Sequence, residues 1–336
     1  MSRIPSLVTA LAPADLAAFF PEPMLAELRA VTADFRTLDP TAHPAADFAR
    51  ALAAADPAVL VTGWKTPHLP AALPPRLRYV CHVTGSVKKL VSRAHLDGGL
   101  AVSNWGGSIS RTVAEGALFH ILACLRHASH WAVAMHQPGV AAWKNGLSDV
   151  RSLFGRTVGI HGFGLVAREL VALLRPWGCR VTVFAPDASA TLAAAYGVAC
   201  AGSLEELFSA NEIIVELAPL TPSTTGIVTE ALLRLIRPGG TFVNVGRGAV
   251  VDEAALLRVA REGRINVGLD VYTTEPLSAD SGFRALPRVN LTPHNSGPTF
   301  DHYPVAGAFA LRNLRAFAAG QPIEALITPA IYDASS

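Results

Sequence analysis

Short apolar runs alternate with amphipathic stretches along most of the chain. AVLVTGW (58–64), LRYVCHV (77–83) and LAVSN (100–104) predict short buried strands, with the proline-rich TPHLPAALPP between the first two. Apolar positions then recur at helical spacing over about 112–135, TVAEGALFHILACLRHASHWAVAM. This predicts one long helix, of a length suited to connecting two domains. The alternation is stricter from 156 onward. TVGIHG, RVTVFA, EIIVEL, TFVNVG, NVGLDVY and VNLTPH predict six strands. LVARELVALLRPWG, LEELFSA, EALLRLIRPGG and DEAALLRVAREG predict the helices between them, the third stopped by Pro-Gly-Gly. Strands joined by helical crossovers predict an α/β fold around a doubly wound parallel sheet, which takes its ligand at the carboxyl ends of the strands.

The first of those strands runs into GFGLVA (162–167) and a helix follows at once. Gly162 permits the tight turn, Gly164 lets a pyrophosphate approach the backbone, and Ala167 is small where helix and strand pack closely. The helix start offers free N–H groups and the positive end of a dipole. Gly162, Phe163, Gly164, Leu165 and Val166 are therefore candidate cofactor-binding residues of a nicotinamide dinucleotide site. The acid that would bind the adenosine ribose is expected at the end of the next strand, where Ala185 stands; Asp187 follows two residues later and is the substitute candidate. No Lys or Arg follows to attract a 2′-phosphate, so NAD and NADP both stay open, with NAD favoured.

Three further residues lie just past strand ends: Arg247 in VNVGRGAVVDE, Glu275 in LDVYTTEPL and His294 in NLTPHNSG. A guanidinium can hold the carboxylate and carbonyl oxygens of a 2-keto acid. An imidazolium can donate a proton to the carbonyl oxygen as hydride arrives. A carboxylate beside that histidine favours its charged form and fixes its ring. Any one of the three alone is more often a surface or structural group.

The composition narrows the alternatives. The 336 residues are 51% hydrophobic and 16% charged, enough for two domains with their own cores. A net charge of +2 gives no electrostatic case for nucleic acid or an anionic membrane surface. No apolar run reaches membrane-spanning length, and Asp15 with prolines 5, 13 and 21 interrupts the N-terminal segment. Cys81, Cys124, Cys179 and Cys200 are scattered without metal-ligand spacing, which fits a reduced, cytoplasmic compartment. His120, His127, His130 and His136 have no acid or cysteine placed to complete a metal site, so they are read as an amphipathic interface and no metal is expected.

VGIHGFGLVA, LAPLTPSTTGIV, FVNVGRGAVVDEAAL, GLDVYTTEPL and LTPHNSGPT occur in one order, and together they resemble the D-isomer-specific 2-hydroxyacid dehydrogenases. The likeness runs from about Ala58 to near Tyr332. It implies hydride transfer between a nicotinamide cofactor and C2 of a small 2-keto or D-2-hydroxy acid, by a homodimer joined through its cofactor domain. It implies that Arg247 binds substrate, that His294 is the acid/base and that Glu275 pairs with it. Asp270 would meet the nicotinamide carboxamide, and Thr221, Val245, Gly246 and Gly297 would line the cofactor. Thr84, Gly85 and Ser86, in VTGSVKKL, would receive the substrate carboxylate. The likeness also implies a Rossmann cofactor domain over 108–298, and a smaller, discontinuous, flavodoxin-like substrate domain made of 1–107 and 299–336. Departures from the family pattern are Ala185, His161 before the glycines, and Lys88 where relatives often have an acid; Lys88 raises the prospect of a substrate with extra negative charge. Trp64, Trp105 and Tyr272 are candidates to narrow the pocket. Two other readings keep the same fold: a dinucleotide-sensing regulator like the C-terminal-binding-protein corepressors, and a dehydrogenase of formate or phosphite. Against the regulator stands the lack of a long appended tail.

Overall fold

The computed structural model describes residues 3–42, 44–137, 149–186 and 188–334. The chain divides into two compact units, Met1–Ile109 with Pro298–Ser336, and Ser110–Gly297. Each is built on its own parallel sheet.

In the smaller unit β1 (Leu7–Ala10), β2 (Phe35–Thr37), β3 (Val59–Thr62), β4 (Tyr79–His82) and β5 (Ala101–Ser103) lie in the order β2-β1-β3-β4-β5. This is the flavodoxin-like arrangement. The helix Ala45–Ala55 presents Phe48 and Leu52 to a core shared with Val8, Leu60, Val80 and Val102. Two strands were not readable from the pattern. LVTA of β1 sits inside a mildly apolar N-terminus, and β2 is a three-residue edge strand whose Arg36 and Thr37 are exposed.

In the larger unit β6 (Thr157–His161), β7 (Arg180–Phe184), β8 (Ala199–Cys200), β9 (Ile213–Glu216), β10 (Thr241–Asn244), β11 (Asn266–Leu269) and β12 (Val289–Leu291) lie in the order β12-β11-β10-β9-β6-β7-β8. This is the Rossmann order with one strand added. The expected six strands become seven, because the two-residue β8 extends the edge beside β7. The strands read as continuous apolar runs because both faces are covered. Ile213 and Val215 enter one core with the helices Ser110–Arg126 and Leu165–Leu174, while Ile214 and Phe242 enter the other, with Leu207, Leu233 and Leu256.

The long helix expected over 112–135 is two helices, Ser110–Arg126 and Ala128–His136. His127 between them has φ +52° and redirects the chain. No Gly or Pro marks the break. It coincides with burial of the His127 ring, whose Nε2 lies 3.3 Å from Asp149 Oδ2. His120 is buried as well, so these two histidines belong to the interior and not to an exposed interface.

Two buried histidines give the fold an acid-sensitive stability. His82 in the smaller unit and His120 in the larger are both pushed down to about 4 by burial, which in His120 outweighs the opposing charge of Asp270. The unfolded chain binds protons below about pH 6.5 that the folded chain refuses until about pH 4, so stability falls as pH falls through that window. The expected loss is about 2 kcal/mol for each histidine by pH 5. Urea midpoints at pH 7 and pH 5 check this; coincident midpoints would remove the effect, and His120→Gln should flatten the dependence in its own unit.

Candidate active site

The glycine loop separates two reasons for being glycine. Gly162 has φ +91°, and a Cβ on it would lie 2.8 Å from the Ala218 nitrogen and the Leu217 carbonyl. The fold itself demands glycine there. Gly164 has φ −74°, and a Cβ on it would meet nothing within 4 Å. Neither strain nor packing requires that glycine, and its absent side chain leaves open space at a helix start. The helices that begin at Leu204, Glu230 and Glu253 have the N–H of their third residue capped by the side chains of Ser203, Thr229 and Asp252. The helix Leu165–Leu174 has no such side-chain cap and no acid in its first turn, which leaves it suited to an anion. Ala167 is fully buried where the helix meets the sheet. The Phe163 ring is turned inward, edge-on to Tyr196 at 5.6 Å, so only its backbone faces the loop. Leu165 is exposed and Val166 half-buried.

This loop emerges between β6 and β9, where the strand order reverses. His161, the departure noted before the glycines, stands directly across from Glu216 on β9. Its Nδ1 lies 2.6 Å from Glu216 Oε2, and both side chains are buried. Glu216 Oε1 accepts the Ala218 N–H at 2.8 Å. The pair thus ties the glycine turn to the 217–221 segment. Reading the sequence alone missed Glu216; the signal was an acid inside the apolar run EIIVEL. Thr221 closes a turn of its own, with its N–H on Thr224 Oγ1 at 2.7 Å. Ala185 is the first residue past β7, and Asp187 lies outside the described residues.

Arg247, Glu275 and His294 come together. His294 Nδ1 is 2.7 Å from Glu275 Oε2, and Glu275 Oε1 accepts the Tyr272 N–H at 3.0 Å. The carboxylate therefore holds the ring by one nitrogen and leaves Nε2 as the atom for chemistry. Burial lowers the Arg247 pKa, against the raising effect of the nearby Glu275 charge. Its Nη1 donates to the Gly246 carbonyl at 2.8 Å. Asn244, also missed in the sequence, holds this segment from below: its Oδ1 accepts the Gly246 N–H at 3.0 Å and its Nδ2 donates to the Arg247 carbonyl at 3.0 Å. Val245 is buried beside it. A Cβ on Gly248 would lie 2.0 Å from the Tyr272 carbonyl carbon, so a glycine there lets the Arg247 and Glu275 segments touch.

The His294 loop is fixed from two sides. Asp270 accepts from Thr292 Oγ1 at 2.5 Å, Asn295 N at 2.9 Å and Ser296 N at 3.0 Å. Burial alone would raise the Asp270 pKa, but these donors outweigh it and the net shift is downward. Behind Asp270, Thr292 Oγ1 meets His120 Nε2 at 2.9 Å, and Asn290 Nδ2 meets His120 Nδ1 at 2.8 Å. Helix Ser110–Arg126 supplies the second side. Gly116 lets Ser296 approach, and Gly297 leaves room for Thr112 and Val113. Tyr272 is buried, with its hydroxyl on the Leu269 and Thr292 carbonyls, so it packs the strand ends and is not a pocket wall.

In the smaller unit, Thr84, Gly85 and Ser86 follow β4. The Thr84 side chain is buried, with its hydroxyl on His82 Nε2, so only its backbone is available. Trp105 N–H donates to the Thr84 carbonyl at 3.2 Å, and Asn104 Nδ2 to the Gly85 carbonyl at 2.8 Å. In a trans peptide the carbonyl and the next N–H point in opposite directions. The Gly85 and Ser86 N–H groups are therefore aimed away from the 104–105 segment. The Lys88 ammonium sits over the Tyr332 ring, 4.3 Å from its centroid, which weakens the expectation that it selects an extra negative charge on the substrate.

A sequence model of the D-isomer specific 2-hydroxyacid dehydrogenase NAD binding domain matches residues 118–296. The chain is 30% identical over 251 residues to D-3-phosphoglycerate dehydrogenase of Mycobacterium leprae, covering 74% of this chain and 47% of that protein. It thus spans about half the length of those first relatives. It is 32% identical over 235 residues to hydroxyphenylpyruvate reductase of Plectranthus scutellarioides, covering 69% of this chain and 72% of that one. Apo D-mandelate dehydrogenase of Rhodotorula graminis has the same fold, with a TM-score of 0.83 at 20% identity over 96% of this chain and 97% of that one.

Proposed function

This chain belongs to the D-isomer specific 2-hydroxyacid dehydrogenase family, and we propose that it transfers a hydride between a nicotinamide cofactor and C2 of a 2-keto or D-2-hydroxy acid. The observation that carries the reading is the contact of His294 Nδ1 with Glu275 Oε2 at 2.7 Å, with the Arg247 guanidinium close enough to feel the Glu275 charge. When bound, the nicotinamide supplies or takes the hydride. Arg247 holds the substrate carboxylate and carbonyl oxygens. His294 Nε2 gives a proton to the carbonyl oxygen in reduction and takes one from the hydroxyl in oxidation. Glu275 keeps the ring in place, and Asp270 keeps the His294 loop in place and meets the carboxamide. On the family likeness, the Gly85 and Ser86 N–H groups are assigned to carboxylate binding as well. The segment after β7, APDAS, has one acid and no cation, which supports NAD over NADP.

The same reading includes a homodimer through the cofactor unit. Phe119, Val133 and Met135 support it, apolar side chains each more than half exposed on its two leading helices. Light scattering checks the assembly. The four cysteines are free thiols, which supports a cytoplasmic setting. Among the described residues no helix is long and apolar enough to cross a membrane.

The direct experiment is a turnover screen of 2-keto acids with NADH and NADPH, with formate and phosphite tried against both oxidised cofactors. Turnover confined to formate or phosphite, or none at all, would overturn the proposal. A second check isolates the glycine loop. Gly164→Asp meets no steric obstacle, so the fold should stand while the new carboxylate faces a pyrophosphate. Reduced-cofactor affinity should fall roughly 100-fold or more. Unchanged affinity in fluorescence titration would leave GFGLVA as a plain turn.

A further inference from the structure

The order of the smaller sheet reverses between β1 and β3, and a doubly wound sheet binds ligands at the strand ends beside such a reversal. Two tryptophans stand just past strand ends of this sheet. Trp64 stands two residues past β3 and Trp105 two residues past β5, with the 84–86 loop of β4 between them. Trp105 lies against that loop: a Cβ on Gly85 would be 3.0 Å from its indole Cζ2. Trp105 then meets Trp64 edge-on, with centroids 5.7 Å apart at 80°. Trp64 also meets Tyr303 at 6.0 Å and Phe19 at 5.8 Å, and Phe19 is fully buried. The loop beneath is pinned. Gly63 N–H donates to Thr66 Oγ1 at 3.0 Å, and Thr66 Oγ1 donates to the Ala10 carbonyl at 2.7 Å.

Trp64 is thus held by three rings and is still 52% exposed. Packing of this kind orders the indole before any ligand arrives, which lowers the cost of binding. Lys65, the next residue, is paired with Asp15 at 3.2 Å, and the indole face itself is electron-rich. Such a face repels an acidic side chain, whereas an uncharged ring packs on it offset face-on or edge-on.

We propose that Trp64 determines specificity for the substrate side chain, and that the acid this site takes carries an uncharged aromatic group, set on Trp64 while its carboxylate is held at the 84–86 loop. The proposal rests on the 2-keto acid reading above and names the substrate class within it. The test compares kcat/KM for phenylpyruvate, glyoxylate and 2-oxoglutarate in the wild type, Trp64→Ala and Trp64→Phe, with circular dichroism confirming that each variant is folded. The wild type should prefer phenylpyruvate to both other acids. Trp64→Ala should lower the phenylpyruvate-to-glyoxylate ratio about 10- to 100-fold, and Trp64→Phe should recover most of it. A wild type that prefers glyoxylate or 2-oxoglutarate, or a ratio that does not move in Trp64→Ala, overturns the subsite and leaves the reaction standing. Turnover of no 2-keto acid overturns both.

Discussion

His294→Ala is expected to lower kcat for 2-keto acid reduction by roughly 10²–10⁴-fold, the usual contribution of a positioned general acid. The ring reaches its place by several constraints at once. The residue has φ +54°, a backbone conformation that a side-chain-bearing residue holds only when its surroundings dictate it. Those surroundings are the Asn295 and Ser296 N–H groups on Asp270 and the Ser296 contact at Gly116. With the loop so held, Nδ1 faces Glu275 and Nε2 is left for the substrate oxygen. His294→Asn should not rescue turnover, because an amide does not release a proton. Cofactor affinity, read by fluorescence titration, should stay within a few-fold, since no part of the glycine loop rests on this ring. Single-turnover reduction by His294→Ala at a rate near that of wild type would remove the residue from proton transfer.

The parts of this arrangement that were legible in the sequence are those whose cause is local. Parallel strands buried on both faces leave apolar runs such as EIIVEL and TFVNVG, and helix stops leave Pro-Gly-Gly, so most elements after residue 156 could be read directly; the exposed two-residue β8 and the helix Ala190–Tyr196 before it leave no such run and were not. The parts that were not legible are set by residues distant in sequence. His161 looked like an unexplained polar residue because its partner, Glu216, is 55 residues away and becomes its neighbour only when β6 pairs with β9. The break at His127 carries no glycine or proline, so a continuous apolar pattern hid it. Gly162 and Gly164 are identical letters, yet only the structure separates a glycine the fold requires from one that leaves room for a ligand. Asn244 was overlooked beside Arg247 because its work is done on backbone groups of the next turn, which no spacing rule marks.

Arg247→Ala is expected to cost about 3–5 kcal/mol in kcat/KM, roughly 10²–10⁴-fold. A guanidinium stays charged at any accessible pH, so burial lowers its pKa without discharging it. In the proposed reaction this planar, permanently positive group holds the 2-keto acid carboxylate, and the carbonyl oxygen gains negative charge as the hydride is delivered, so the interaction strengthens toward the transition state. The loss should therefore appear in kcat as well as KM. Arg247→Lys keeps the charge but loses the planar pair of donors, and it should recover only part of the activity. Asn244, Gly246 and Gly248 hold the backbone independently of the side chain, so both variants should melt within a few degrees of wild type and bind reduced cofactor normally. Steady-state kinetics with the best 2-keto acid, alongside cofactor titration, make the measurement. An Arg247→Ala enzyme with unaltered kcat/KM would mean that the substrate carboxylate is held elsewhere.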